Sequence, residues 1–209
     1  MPELSIDLSE LESREAHDLL SSAIIPRPIA WVTSVDTQGK VNCAPFSFFS
    51  GVTWSPPTLL VSVVNRKDGD RKDTIRNIES TGEFIVNLVC EAMGEAMVQS
   101  ASIEQYGVDE AEALGIQLIP SEIVSVPRIE GAIAFECRQD HIIRVGEGPN
   151  GANLVLGRIE RMHIQEDLLK TSRCVDWEKA RLIGRLSGTR FCRLGSVFDI
   201  DPRKQVGWK

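Results

Sequence analysis

Two neighbouring stretches hold the residue types that could do chemistry. The first is Arg66-Lys67-Asp68-Gly69-Asp70-Arg71-Lys72-Asp73-Thr74, which follows an apolar run and opens a short helical pattern. A lysine, an arginine, a threonine hydroxyl and the N–H groups of a helix start together suit a phosphate. The same residues would also serve as a solvated charged loop in which Asp73 only caps the helix. The second stretch is Asn42-Cys43-Ala44-Pro45-Phe46-Ser47-Phe48-Phe49-Ser50, with three phenylalanines and a proline between small polar residues. Its backbone polar groups and aromatic walls suit a flat heterocycle. A core corner lined with buried aromatics would have the same composition. One stretch offers a planar apolar slot and the other a charged end, and a flavin mononucleotide has those two ends.

Other chemical motifs are weaker. Gly146-Glu147-Gly148-Pro149-Asn150-Gly151 matches G-x-G-x-x-G. In a dinucleotide site that motif must open a helix. Here Asn153-Leu154-Val155-Leu156 reads as a strand, so a hairpin turn is expected. His17, His141 and His163 lie far apart, without an H-x-x-x-H or C-x-x-C partner, so no metal site is expected. No Walker A, no G-x-S-x-G and no catalytic side chain is identified.

The elements that must position the two stretches follow from periodicity. Residues 13–24 read as a helix with Leu19, Leu20, Ala23 and Ile24 on one face, stopped by Pro26 and Pro28. Residues 29–35 and 41–44 read as a hairpin around Asp36-Thr37-Gln38-Gly39. Residues 58–64 and 83–89 read as buried strands on either side of a short helix. In that helix Asp73 is placed to cap, Ile75 and Ile78 to face inward, and Gly82 to terminate. Residues 91–102 look helical, with Met93, Met97 and Val98 on one side. Residues 132–145 and 153–164 form a second hairpin, and 185–194 a last strand. Six or seven strands joined mostly by hairpins predict a mainly β, antiparallel barrel with peripheral helices. One domain over 1–209 is expected, with a helical excursion at about 91–128.

Composition narrows the partners. The chain has 209 residues, 23 Lys+Arg against 30 Asp+Glu, a net charge of −7, 42% hydrophobic and 25% charged residues. That describes a folded protein with its own core and argues against nucleic acid or an anionic membrane as partner. Yet residues 66–76 carry five basic and three acidic side chains, a local +2 that leaves room for one small phosphate. Five cysteines, an odd number, predict free thiols in a reducing compartment. No apolar run approaches the ~18 residues of a membrane span, and no signal peptide is visible at Met1-Pro2-Glu3-Leu4, so the cytoplasm is expected.

Several short motifs in series resemble the flavin reductase-like FMN-binding split-barrel family. They are Ile25-Pro26-Arg27-Pro28-Ile29-Ala30-Trp31-Val32-Thr33, Gly39, Asn42-x-Ala44-Pro45-Phe46-Ser47-Phe48-Phe49, Pro56-Pro57, Lys72-Asp73-Thr74-x-x-Asn77-Ile78 and Phe84-x-Val86-Asn87-Leu88. Weaker likeness continues through Phe135-Glu136-Cys137 and Val155-Leu156-Gly157 into Arg185-Leu186-x-Gly188. The resemblance implies an antiparallel split β-barrel, a homodimer, bound FMN, and hydride transfer from NADH or NADPH to flavin. It implies that Trp31, Val32 and Thr33 lie beside the flavin, and that Asn42, Ala44, Pro45, Ser47, Phe48 and Phe49 line its ring and ribityl chain. Arg71, Lys72, Asp73 and Thr74 would meet the phosphate, with Asp73 capping the helix, and Arg185 would be an anion contact. One departure stands out: Phe191 replaces a tyrosine of the family pattern, which removes any hydroxyl contact there. A non-enzymatic FMN carrier serving protein redox partners is the alternative, and a partner monooxygenase is a candidate acceptor of reduced flavin. An oxygen-dependent or metal-reducing flavoprotein would use the same scaffold.

Overall fold

The computed structural model describes residues 1–101, 109–171 and 173–200. After helix α1 (Ser13–Ala23) come strands β1 (Ala30–Val35), β2 (Val41–Phe46), β3 (Phe49–Trp54) and β4 (Pro57–Val64), helix α2 (Asp73–Thr81) and strand β5 (Glu83–Leu88). Helices α3 (Gly94–Ser100) and α4 (Glu110–Leu114) follow, with a two-residue pair, β6 (Leu118–Ile119) and β7 (Arg128–Ile129). The long hairpin β8 (Ile133–Val145) and β9 (Ala152–His163) comes next. Helix α5 (Trp177–Ala180) and a small hairpin, β10 (Ile183–Arg185) and β11 (Phe191–Arg193), end the described chain.

Seven strands form one antiparallel sheet in the order β2-β1-β5-β8-β9-β4-β3. The chain itself forces that sheet to curl. β2 and β3 stand at opposite edges, yet only Ser47 and Phe48 join them, and so short a link spans roughly 10 Å at most. The two edges must therefore meet, with no ladder between β2 and β3, and that gap is the split of the barrel. The Ser62 N–H donates to the Phe48 carbonyl at 2.9 Å, tying the link to β4.

Inside the curl, Ala30, Val32, Phe46, Leu59, Val61, Val63, Phe84, Val86, Cys137 and Val155 pack with Ile75 and Ile78 of α2. A second cluster on the outer side gathers Ile29, Trp31, Cys43, Val89 and Met97. Alternate residues of β1 thus serve opposite faces, as the pleat requires. A Cβ on Gly157 would lie 2.3 Å from Cζ of Phe84, whose ring is fully buried. Gly157→Ala is accordingly expected to cost about 1–3 kcal/mol of stability, read from the urea midpoint. An unchanged midpoint would mean that the ring moves without strain.

The predicted fold class, hairpins and α2 are observed, and Gly82 ends α2 in the left-handed region at φ 71°. The glycine-rich motif is the turn between β8 and β9, with a single 3-10 turn at Gly148–Asn150. Four local expectations need correction. Asp73 is the first helical residue rather than the cap; Lys72 holds the cap position, and Asp73 Oδ1 accepts from Arg66 Nη2 at 3.0 Å. Val98 is 44% exposed, because only the Met97 side of α3 meets β2. The apolar face expected to bury α1 is half open: Leu19, Leu20 and Ile24 are exposed and only Ser21 is buried. Finally, 185–194 is not one strand, since Gly188, at φ 59°, sits in a turn separating β10 from β11.

Candidate functional site

A cavity of about 340 Å³ opens where the start of α2 meets β2, a size common among small-molecule sites. Asn42, Ala44 and Pro45 of β2 form one wall, and Arg66, Lys67 and Asp68 from the β4–α2 loop form another. Lys72, Asp73 and Thr74 close its charged end. Lys72, at the cap position, makes no side-chain capping bond, so the helix start can turn its N–H groups and its positive dipole end to an anion. Thr74 Oγ1 accepts from Asn42 Nδ2 at 2.9 Å. A hydroxyl that already accepts keeps its own proton for a further acceptor. The Lys72 ammonium lies 5.7 Å from the Phe46 ring centroid, which ties the basic stretch to the aromatic one.

The segment 42–50 continues from this cavity to a second one. Phe49 and Ser50 wall an apolar space of about 350 Å³ together with Ile29, Leu59, Leu88 and Phe135. One stretch of chain thus borders, at its beginning, a charged cavity lined by Arg66, Lys67 and Lys72 and by Asp68, Asp73 and Glu110, and an apolar cavity at its end. Between them the Ser47–Phe48 link is held by Arg27, whose Nε donates to Ser47 Oγ at 3.2 Å and whose guanidinium lies 5.6 Å from the Phe48 ring centroid. The other Arg27 nitrogens donate to the carbonyls of Ser21, Ile24 and Leu186. The end of α1, the split and the C-terminal hairpin therefore meet on one buried side chain. Burial and the neighbouring Arg185 both lower the Arg27 pKa.

Of the residues singled out from the sequence, Asn42, Ala44, Pro45, Lys72, Asp73 and Thr74 come together around the first cavity, and Phe49 borders the second. Ser47 and Phe48 stand between. Trp31, Val32 and Thr33 are buried beneath this surface and border neither cavity. Trp31 Nε1 donates to Ser100 Oγ at 3.0 Å, and Thr33 Oγ1 to the Pro127 carbonyl at 2.8 Å. Arg71 turns to a separate groove beside Arg144, where both pair with Glu79. Arg185 lies at the C-terminal hairpin, 4.5 Å from the Phe191 ring centroid, with its backbone paired to Arg27.

The family model of the flavin reductase like domain matches residues 21–180. The chain belongs to the flavin reductase-like domain family. Nitrilotriacetate monooxygenase component B from Bacillus cereus superposes with a TM-score of 0.91 at 37% identity, over 96% of this chain and 100% of its own. The 2-nitrobenzoate 2-nitroreductase NbaA of Pseudomonas fluorescens superposes with a TM-score of 0.87 at 32% identity, over 99% of this chain and 100% of its own. The protein BH2278 of Halalkalibacterium halodurans is 36% identical over 201 residues, 95% of this chain and 96% of its own.

For a flavin reductase-like domain the relevant group is a flavin, and the residues present fit it. An apolar space suits a planar ring, and a lysine, a threonine hydroxyl and a helix start suit an anionic end. Sequence reasoning did not single out Asn65, Ser100, Ala101 or Glu110 of the same wall, and it treated Arg66, Lys67 and Asp68 only as part of a basic stretch. Asn65 directly precedes that stretch and was legible. Ser100, Ala101 and Glu110 carry no local signal, because the packing of α3 and α4 against β2 brings them there.

Proposed function

We propose that this chain binds FMN and passes hydride from NADH or NADPH to flavin. The observation that carries the reading is the segment 42–50, which borders in succession a charged cavity that holds Lys72, Thr74 and the start of α2 and an apolar one. Lys72, Thr74 and the start of α2 would hold the phosphate. Asn42, Ala44 and Pro45 would meet the ribityl chain, and Ser47, Phe48 and Phe49 the ring. Trp31, Val32 and Thr33 would back this surface from beneath. Arg71, Asp73 and Arg185 belong to the proposed set as outer contacts, Asp73 through its pair with Arg66. A bound flavin supplies the redox chemistry, accepting hydride and passing the electrons on. The chain's part is to bind and orient, so no side chain is assigned as acid, base or nucleophile. Lys72 would stand beside the anionic end, and the buried Asn42–Thr74 pair fixes the wall it faces.

A homodimer is part of the proposal. The half-open apolar face of α1 and Trp54, 91% exposed at the tip of the β3–β4 hairpin, support it. The Bacillus cereus relative is named as a component of a monooxygenase, which supports delivery of reduced flavin to a partner monooxygenase. Cys43, Cys90, Cys137 and Cys192 stand as thiols in no disulfide, which supports a reducing, cytoplasmic location. No helix among the described residues is long and apolar enough to cross a membrane.

Anaerobic mixing of the purified protein with FMN and NADH or NADPH tests the reading. Bleaching of flavin with turnover on an excess of it is expected. Tight flavin that responds to neither nicotinamide would favour the electron carrier instead. The absence of any FMN spectral shift would remove the flavin reading altogether.

A further inference from the structure

One wall residue of the charged cavity has no part in the function just proposed. Glu110, the first residue of α4, is 4% exposed and faces the same space as Lys72 and Thr74. It lies there because β2 is an edge strand. The outward N–H groups of β2 find no neighbouring strand, and α4 supplies acceptors in its place. Val41 N–H donates to Asp109 Oδ2 at 3.2 Å and Cys43 N–H to Glu110 Oε2 at 3.0 Å. A buried carboxyl therefore shares a cavity of about 340 Å³ with the groups that suit a phosphate.

We propose that Glu110 is a proton-linked binding residue: as the phosphate dianion of FMN enters this cavity, the Glu110 carboxylate takes one proton from solvent, and it releases that proton when FMN leaves. The inference rests on the phosphate reading of the cavity. An ionised, buried Glu110 and a dianion sharing so small a space repel each other at a cost, whereas a protonated carboxyl is neutral and gains a donor.

The groups around Glu110 agree with this assignment. On α2, Asp73 is paired with Arg66, and Lys72 stands beside it. The β4–α2 loop adds Lys67 and Asp68, and Asp109 precedes Glu110 on its own element. From α3 the cavity receives Ser100 and Ala101, which do not titrate. On β2, burial first of all pushes the Cys43 thiol well up, so it stays neutral. Burial also raises the Glu110 carboxyl, to about 7, against hydrogen bonds from the Cys43 N–H and its own N–H, with Asp73 and Asp109 adding to the rise. A group poised there in the free protein needs only a further upward push to bind a proton near neutrality.

Isothermal calorimetry of FMN binding at pH 8, in two buffers of different ionisation enthalpy, tests this with the unaltered protein. FMN is the probe and riboflavin the control. Phosphate has its second pKa near 6, so FMN is already a dianion at pH 8. Uptake of roughly 0.5–1 proton is expected with FMN and none with riboflavin, and FMN affinity should fall up to about 10-fold from pH 7 to 8.5. In Glu110→Gln, whose amide oxygen still accepts from the Cys43 N–H, the uptake should vanish and affinity should vary less than about twofold. FMN binding without proton uptake, or uptake that persists in Glu110→Gln, overturns the inference while the flavin reading stands. Failure of both FMN and riboflavin to bind overturns the flavin reading, and this inference with it.

Discussion

Replacing Lys72 by alanine is expected to weaken FMN binding about 10- to 150-fold and to change riboflavin binding less than about threefold. The two ligands differ only in the phosphate, so their comparison isolates the charged end of the site. A charge-assisted contact contributes about 1.5–3 kcal/mol, and here the residue is half-buried and lines a partly open cavity rather than open surface. Lys72 is the cap residue of α2 but makes no side-chain capping bond. Its truncation therefore leaves the helix start formed, and the loss reads as binding rather than folding. Titration by flavin fluorescence checks it. Equal losses for both flavins would show that Lys72 does not meet the phosphate, and the anionic end would then have to lie elsewhere.

The largest expected effect on stability lies away from the cavities, at Glu136 of β8. This carboxylate is fully buried. It accepts the N–H groups of Glu122, Ile123 and Val124 at 2.8, 2.6 and 3.0 Å, and it is hydrogen-bonded to His163 of β9. Nearby, Glu83 accepts from both the N–H and the hydroxyl of Ser125 at 2.8 Å. The two carboxylates thus pin residues 122–125 to the outside of the sheet. Burial alone would raise the Glu136 pKa. The N–H of Glu122, then His163 and the N–H groups of Ile123 and Val124, overcome it and hold the carboxyl down to about 2. Glu136→Ala strands these donors in a buried place and is expected to cost about 3–5 kcal/mol, measured by urea unfolding at pH 7. A loss below about 1 kcal/mol would mean that water reaches the donors.

The same pKa gives a pH dependence with a definite sign. A folded-state value below the unfolded one means that the unfolded chain binds the proton first as pH falls. The contribution is complete above about pH 5 and declines towards pH 2, by about 2–3 kcal/mol in all. Glu136→Gln should flatten that part of the acid limb of the stability curve.

How much of this was legible in the sequence depended on whether a residue has a local partner. The β1–β2 and β8–β9 hairpins were legible because β-branched and aromatic runs flank turn residues, at Asp36 to Gly39 and at Gly146 to Gly151. Helix α2 was legible from Ile75, Ile78 and Gly82. Strand β3 was not, because Ser50 to Trp54 are all exposed, and a strand without a buried face shows no alternation. The face of α1 was legible as apolar, but no local rule says whether the same chain covers it. The capping role expected of Asp73 failed because a cation seven residues earlier, Arg66, competes for its carboxylate.

The site divides in the same way. The types and spacing of residues 42–50 and 66–74 determined that an aromatic, proline-containing segment and a basic helix start exist, and that together they would suit a small phosphorylated heterocycle. Those facts depend on composition and short-range geometry, which the chain carries locally. Only the tertiary structure decided that the Ser47–Phe48 link crosses the split, since that follows from the strand order. It also turned Arg71 to Glu79 and away from the cavity, and brought Glu110 to Cys43 across 67 residues of chain. The reason is physical. An edge strand's open N–H groups must find acceptors, and which distant carboxylates supply them depends on where the whole chain packs.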